Sequence, residues 1–105
     1  MPALPSRIDL IMSLQRGLLG KVRPQLRAAS IEADPFAKMI RLRFEYDGLA
    51  GEDVREGCSC AATEVIADFP EPWQLDEQHV ARLPLERCSP LEHLVYSRHE
   101  SPGAA

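Results

Sequence analysis

The stretch that most constrains the fold is MIRLRFEY, residues 39–46, because its polar and apolar side chains alternate. A period of two places alternate side chains on opposite faces of a β-strand. The apolar set is Ile40, Leu42, Phe44 and Tyr46, and the polar set is Arg41, Arg43 and Glu45. We therefore predict a strand with one buried face and one solvated face, which is typical of an antiparallel sheet.

The residues just before this strand offer it a hairpin partner. LRAASIEA, residues 26–33, is a weaker strand candidate, and Asp34 and Pro35 provide turn-forming residues between the two. The pair predicts a β-hairpin.

A first helix is predicted to begin after Ser6, which is a suitable N-cap with Asp9 three residues later in the capping-box position. Gly20 and Pro24 mark its end. Its apolar side is predicted from helical spacing to contain Ile8, Ile11, Leu14, Leu18 and Leu19.

A second helix is predicted from Glu52 to Phe69, and Pro70 and Pro72 end it because proline cannot continue the hydrogen-bond ladder. One side of this helix is apolar and the opposite side is acidic. The apolar side consists of Val54, Cys58, Ala61, Ala62, Val65 and Phe69.

Two further strands are predicted in residues 79–86 and 91–100, around Ser89 and Pro90. The predicted fold is α+β, with two helix-plus-β-hairpin units in the order α-β-β-α-β-β. Its four-stranded sheet is mainly antiparallel and carries both helices on one face. We expect residues 1–105 to form a single domain, with 1–5 and 100–105 as loose termini.

The composition favours the cytoplasm. The first residues are interrupted by Pro5, Arg7 and Asp9, so they predict neither a signal peptide nor a membrane span. Three cysteines without framework spacing fit a reducing compartment better than a disulfide scaffold.

Charge is segregated along the chain. Residues 1–44 carry eight basic and three acidic side chains, whereas residues 45–77 carry ten acidic side chains and one basic one. Such a negative region favours a basic partner and disfavours nucleic acid or an anionic membrane. The simpler interpretation is a solvated acidic surface that keeps the protein soluble.

The two cysteines near the middle of the chain do not predict a metal or redox site. Cys58 and Cys60 would leave a helix ~200° apart, at ~100° per residue, so they cannot share one metal ion. Cys88, His79, His93 and His99 are scattered rather than spaced as zinc ligands. We expect no metal, no cofactor and no enzymatic activity, although a thiol enzyme or hydrolase using Cys60 or His93 remains an alternative.

The only tryptophan, Trp73, lies between FPEP and QLDE. Its commoner role would be to fill the core where the second helix ends. The acidic residues on either side also fit an anchor for a protein partner.

Four stretches, SLQRGLLGKVRPQLRAASIEAD, IRLRFEYDG, CAATEVIADFP and LVYSR, resemble small bacterial immunity proteins of contact-dependent growth inhibition and related polymorphic-toxin systems. The resemblance extends from Arg7 to Arg98. It implies a non-enzymatic inhibitor that binds the C-terminal toxin domain of a cognate effector, often a nuclease. It assigns no individual contact residues.

The leading hypothesis is an immunity protein whose second helix and adjoining loops bind a basic toxin domain. It requires carboxylates that face outward and are not neutralised by the chain's own cations. The predicted partner-binding residues are Asp47, Glu52, Asp53, Glu56, Glu64, Asp68, Glu71 and Trp73.

Two alternatives stay open. The chain could be an interaction module or a homodimer that uses the strand edge at HLVY, residues 93–96. Nucleic-acid binding through the basic first half is disfavoured, because those residues alternate with core positions and no aromatic stacking platform accompanies them.

Overall fold

A capping box begins the first helix. In the computed structural model, which describes residues 5–98, α1 spans Arg7–Leu18. Ser6 Oγ accepts a hydrogen bond from the backbone N–H of Asp9 at 3.0 Å, and Asp9 Oδ2 accepts one from the backbone N–H of Ser6 at 3.1 Å. These bonds satisfy N–H groups that have no partner within the helix. The predicted start of α1 is confirmed.

The buried side of α1 differs from the predicted one. Leu10, Leu14 and Leu18 are buried at four-residue spacing, whereas Ile8 and Leu19 are exposed. The prediction that Ile8 and Leu19 belong to the core is therefore wrong. A buried glycine, Gly17, lies on the side of α1 that packs tightly against Ala61 of the second helix, so this side of α1 is filled without a large apolar side chain at that position.

The predicted hairpin is confirmed. Strand β1 spans Leu26–Asp34, strand β2 spans Met39–Asp47, and the two pair antiparallel. The carboxylate of Asp34 accepts hydrogen bonds from the backbone N–H groups of Phe36 and Ala37 at 3.0 and 3.1 Å, which fixes the turn. The four apolar residues predicted to face inward from β2 are all buried.

The second half of the chain forms helix α2 (Glu52–Ala67), strand β3 (Gln74–Arg82) and strand β4 (His93–Ser97). The predicted order of elements is thereby confirmed. In the sheet, the strand order is β3-β2-β1-β4. Strand β3 is parallel to β2, because α2 returns the chain to the end of the sheet where β2 began, and β4 is antiparallel to β1. The fold is α+β with a mixed sheet.

The prediction of a second hairpin is wrong, because β3 and β4 lie at opposite edges of the sheet. Residues 83–92, here named the crossover segment, connect them across the face that points away from the helices. The edge strands are about 14 Å apart, at ~4.8 Å per neighbouring strand. Ten extended residues can reach about 33 Å, so this connection is long enough to cross the sheet.

The crossover segment covers part of the face that was predicted to be solvated. Its backbone N–H groups at Ser89 and Leu91 donate to Glu45 Oε1 at 2.7 Å and to Ser30 Oγ at 2.9 Å. Arg82 Nε also donates to Glu45 Oε1, at 2.8 Å. As a result Glu45 and Ser30 are fully buried although both belong to the polar side of the sheet.

Both helices pack on the other face of the sheet, as predicted. Helix α1 lies over β1 and β4, and helix α2 lies over β2 and β3. Their buried side chains join those of the sheet in one hydrophobic core. Within residues 5–98, no helix is long and apolar enough to cross a membrane. Apart from Pro5, the termini predicted to be loose lie outside the described residues.

Candidate functional site

Helix α2 begins at the predicted residue, Glu52. Gly51 is its N-cap, and its buried stripe consists of Val54, Cys58, Ala61, Ala62 and Val65. The helix ends at Ala67, two residues before the predicted end, and Phe69 still contributes to the core. Because the stripe faces the sheet, the acidic residues between its members point to solvent.

Three carboxylates at the start of α2 form its unpaired acidic surface, which we name the N-terminal acidic cluster: Glu52, Asp53 and Glu56. All three are exposed, and none forms an ion pair within the part of the chain that the structure describes. They face outward and form no ion pair with the described cations, which are the two conditions that the charge hypothesis requires.

Three other predicted residues are neutralised by the chain itself. Glu64 pairs with Lys21 at 2.8 Å, and Asp68 pairs with Arg16 at 2.9 Å and accepts a hydrogen bond from Ser13 Oγ at 2.6 Å. Asp47, at the end of β2, is 2.6 Å from Arg98 and 3.5 Å from Arg27. These carboxylates remain partly exposed, but because each is paired with a cation they contribute little to the electrostatic field outside the protein.

The same pairs account for much of the basic first half of the chain. Arg16, Lys21 and Arg27 pair with the acidic residues named above. Arg41 pairs with Glu32, Asp34 and Asp76. Four of the eight cations in residues 1–44 thus pair with carboxylates of residues 45–77, so the fold partly offsets the segregation of charge along the sequence.

The last two predicted residues lie beyond the C-terminal end of α2. Glu71 is exposed and has no ion pair within residues 5–98. Trp73 is half-buried: it packs against the core, and Lys38 Nζ lies 5.7 Å from the centroid of its ring. Asp68, Glu71 and Trp73 line a cavity of about 450 Å³ together with residues of α1. The predicted residues thus form two groups, one at each end of α2.

A chain of hydrogen bonds beside the N-terminal acidic cluster was not predicted from the sequence. His79 Nδ1 lies 2.6 Å from Tyr46 Oη, and His79 Nε2 lies 2.5 Å from Glu77 Oε2. Ser59 Oγ donates to the same oxygen of Glu77. The signal was present, because Glu77 and His79 are two residues apart and share a face of β3. It was missed because that strand was predicted to begin at His79.

This chain of hydrogen bonds joins β2, β3 and α2 through Tyr46, His79, Glu77 and Ser59. Burial raises the pKa of Tyr46, so its hydroxyl stays protonated and shares a hydrogen bond with His79 Nδ1. His79 Nε2–H then donates to Glu77, and both ring nitrogens are engaged. His79 also lines a cavity of about 410 Å³ with Glu52, Arg55, Glu56 and Ser59, so the bonds support the wall next to the acidic cluster.

The cysteines are separated as helical geometry predicts, with Cys58 buried and Cys60 exposed. Among residues 5–98, no group of three or more histidine, cysteine or acidic side chains is placed to hold a metal ion. Cys60 lies on α2, which packs over β2 and β3, whereas His93 begins β4 at the far edge of the sheet. This separation argues against a joint Cys60–His93 site. His99 lies outside the described residues.

The comparison with known families gives a direct result. A family model described as MafI2 immunity protein matches residues 7–100, from the start of α1 to beyond β4. No curated protein matches the chain. The family match confirms the resemblance to immunity proteins of toxin systems, which implies a cognate toxin as partner, and such proteins are typically non-enzymatic inhibitors. The match covers every helix and strand of the fold, and the chain belongs to the MafI2 immunity protein family.

Proposed function

We propose that this chain remains in the cytoplasm and neutralises its cognate toxin by binding a basic surface of the toxin's C-terminal domain to the N-terminal acidic cluster. The observation that carries the proposal is the exposure of Glu52, Asp53 and Glu56, none of which forms an ion pair within residues 5–98. The toxin would be delivered by contact-dependent growth inhibition or a related system, and the inhibition needs no catalysis.

Glu56 separates this proposal from a purely structural role for the cluster. Glu52 and Asp53 lie in the first turn of α2, where negative side chains stabilise a helix through its dipole. That benefit falls off within the first turn, so it does not account for Glu56. An exposed carboxylate without an internal partner is free to pair with a cation on another protein.

A nuclease is the toxin class that best matches an acidic helix. Nucleases hold the phosphates of their substrate with lysine and arginine, and a row of carboxylates can occupy that surface by imitating the phosphate charge. Electrostatic steering would also accelerate capture of the toxin, which matters when the free toxin is lethal.

The test is the affinity of the double variant Glu52→Lys/Glu56→Lys for the toxin domain, measured by calorimetry at several salt concentrations. The toxin gene is sought in the adjacent upstream reading frame. We expect binding to weaken about 30-fold or more, which corresponds to roughly 1 kcal/mol per reversed charge. The dependence of affinity on salt should become flatter, because fewer ion pairs form on binding.

Glu92→Lys is the matched control, since it reverses one charge on a side chain that is 66% exposed, beside the edge strand β4. It should leave affinity and salt dependence nearly unchanged. Unchanged affinity in the Glu52/Glu56 double variant would exclude the N-terminal acidic cluster as the contact.

A second candidate, homodimerisation, is favoured by the edge position of β4. Leu94 on this strand is exposed, and Val95 and Tyr96 line an apolar groove with Leu18 and Val22. Pairing of two β4 edges would continue the sheet across two molecules. Sedimentation of the chain alone at micromolar concentration decides the point, because a monomer under these conditions removes this candidate.

A further inference from the structure

A groove lies at the opposite end of α2 from the acidic cluster, between the first turns of α1 and the segment that leaves α2. Its volume is about 450 Å³, which lies within the range of ~300–1,000 Å³ that is usual for ligand pockets. We name it the α1–α2 groove. Its apolar lining includes Ile8 and Met12 from α1, and Phe69 and Trp73 from the segment after α2.

The apolar side chains of α1 in this groove do not serve the core of the described chain. Ile8 is 67% exposed and Met12 is 48% exposed, and they are one helical turn apart on the same side of α1. The core is instead contacted by a different stripe of α1. An exposed apolar pair next to a half-buried tryptophan is typical of a surface that another protein covers.

The rim of the groove selects the kind of partner. It carries three carboxylates, from Asp9, Asp68 and Glu71, and one cation, Arg16. Asp9 is engaged in the capping box and Asp68 is paired with Arg16, whereas Glu71 has no ion pair within residues 5–98. The net charge of the rim is negative, so it complements an apolar side chain that has lysine or arginine beside it.

We propose that the α1–α2 groove receives an apolar side chain flanked by basic residues of the toxin domain, as the hydrophobic anchor of the complex. The inference rests on the proposed function, since the same toxin would contact the N-terminal acidic cluster. Exposed charges give steering and orientation, whereas most of the affinity of an interface comes from a few buried apolar or aromatic anchors.

The distance between the two contacts fits one interface. Helix α2 has 16 residues, which at ~1.5 Å per residue gives a length of about 24 Å. A standard interface covers ~800 Å² per partner and is therefore roughly 30 Å across. One toxin domain can reach both ends of α2.

Trp73 allows the groove to be observed directly, because it is the only tryptophan of the chain. The chain is labelled with 5-fluorotryptophan and titrated with unlabelled toxin domain while the fluorine resonance is recorded. We expect the resonance to shift on binding. A shift that depends on the concentration of the chain alone would assign the groove to a second copy of this chain and overturn the proposal.

Met12→Ser provides the energetic test, with Leu83→Ser in the crossover segment as its control, since Leu83 is an exposed apolar side chain outside the groove. We expect Met12→Ser to weaken toxin binding about tenfold, as for loss of one apolar anchor, and Leu83→Ser to leave it unchanged. Ile8→Ser, also at an exposed position, should repeat the effect of Met12→Ser.

The outcomes separate the two proposals. If Met12→Ser and Ile8→Ser bind normally while Glu52→Lys/Glu56→Lys binds weakly, the groove is not a contact and the acidic cluster stands. If the serine variants alone bind weakly, the groove stands and the acidic cluster does not. If the unaltered chain binds no toxin, both proposals are wrong.

Discussion

Gly17 packs tightly against the backbone of α2, and replacing it with alanine should push the helices apart. A Cβ atom at Gly17 would lie 2.9 Å from the carbonyl oxygen of Ala61. That oxygen belongs to the backbone of α2, so it cannot rotate away as a side chain could. The whole helix must shift, and the core between the helices and the sheet shifts with it.

Two opposing terms set the size of this effect. Alanine is more favourable than glycine within a helix by ~1 kcal/mol. Overpacking a tight contact costs ~1–3 kcal/mol, and a rigid backbone neighbour places Gly17 in the upper part of that range. We therefore expect Gly17→Ala to lower the free energy of unfolding by about 1–2 kcal/mol, which corresponds to roughly 4–16 °C in Tm.

Gly57 supplies the control, because it lies within α2 but a Cβ there would meet nothing closer than the backbone oxygen of Lys21 at 3.7 Å. That distance is an ordinary van der Waals contact. Gly57→Ala should therefore raise the free energy of unfolding by ~0.5–1 kcal/mol. Both variants are measured by urea denaturation at pH 7. If Gly17→Ala were as stabilising as Gly57→Ala, the close packing of α1 on α2 would be refuted.

Three further predictions concern the fold around the site. In the native protein at pH 8, a thiol reagent should modify Cys60 quickly and Cys58 slowly, because burial blocks Cys58 and raises the pKa of its thiol; equal rates would contradict this. Ser6→Ala, which removes half of the capping box, should lower the free energy of unfolding by ~1 kcal/mol, and an unchanged urea midpoint would count against it. Arg82→Met, which leaves the fully buried Glu45 without its cation, should cost about 3 kcal/mol at pH 7, and Glu45→Gln/Arg82→Met should recover most of that loss in the same assay.

Local signals predicted most of the elements. The capping box at Ser6 and Asp9, the alternation of residues 39–46 and the turn at Asp34 each depend on interactions between residues close in sequence. Such interactions are the same in any tertiary arrangement, so the sequence contains enough information to locate them. The hairpin and both helices were found in this way.

The pairing of β3 and β4 could not be predicted in the same manner. A hairpin was expected because neighbouring strands in sequence usually pair. Here α2 places β3 parallel to β2, which already has β1 on its other side, so β4 pairs at the far edge with β1. The pairing partner of β4 depends on which strand edges remain free once the first four elements have packed. That information is tertiary.

The candidate site could also be predicted only in part. An acidic helix follows from the sequence alone, but the partners of its carboxylates do not. Lys21 and Glu64 are 43 residues apart, and Arg16 and Asp68 are 52 residues apart. Only the packing of α1 against α2 brings these pairs together, and it leaves Glu52, Asp53 and Glu56 as the unpaired part of the helix.

Electrostatic screening separates the field of the N-terminal acidic cluster from that of the ion pair at Glu64. Glu56 and Glu64 are eight residues apart on α2, or about 12 Å along the axis at ~1.5 Å per residue. The Debye length at physiological salt is ~8 Å, so the ion pair at Glu64 scarcely influences the field at Glu56. A toxin surface that approaches the start of α2 therefore meets three carboxylates rather than the whole acidic segment.

On this reasoning Lys21→Ala, which unmasks Glu64, should leave the salt dependence contributed by Glu56 intact and add a separate increment of its own. A double-mutant cycle between Lys21→Ala and Glu56→Lys, measured as toxin affinity at two salt concentrations, should be additive within about 0.5 kcal/mol, and strong coupling would show that the two ends of α2 act as one charged surface.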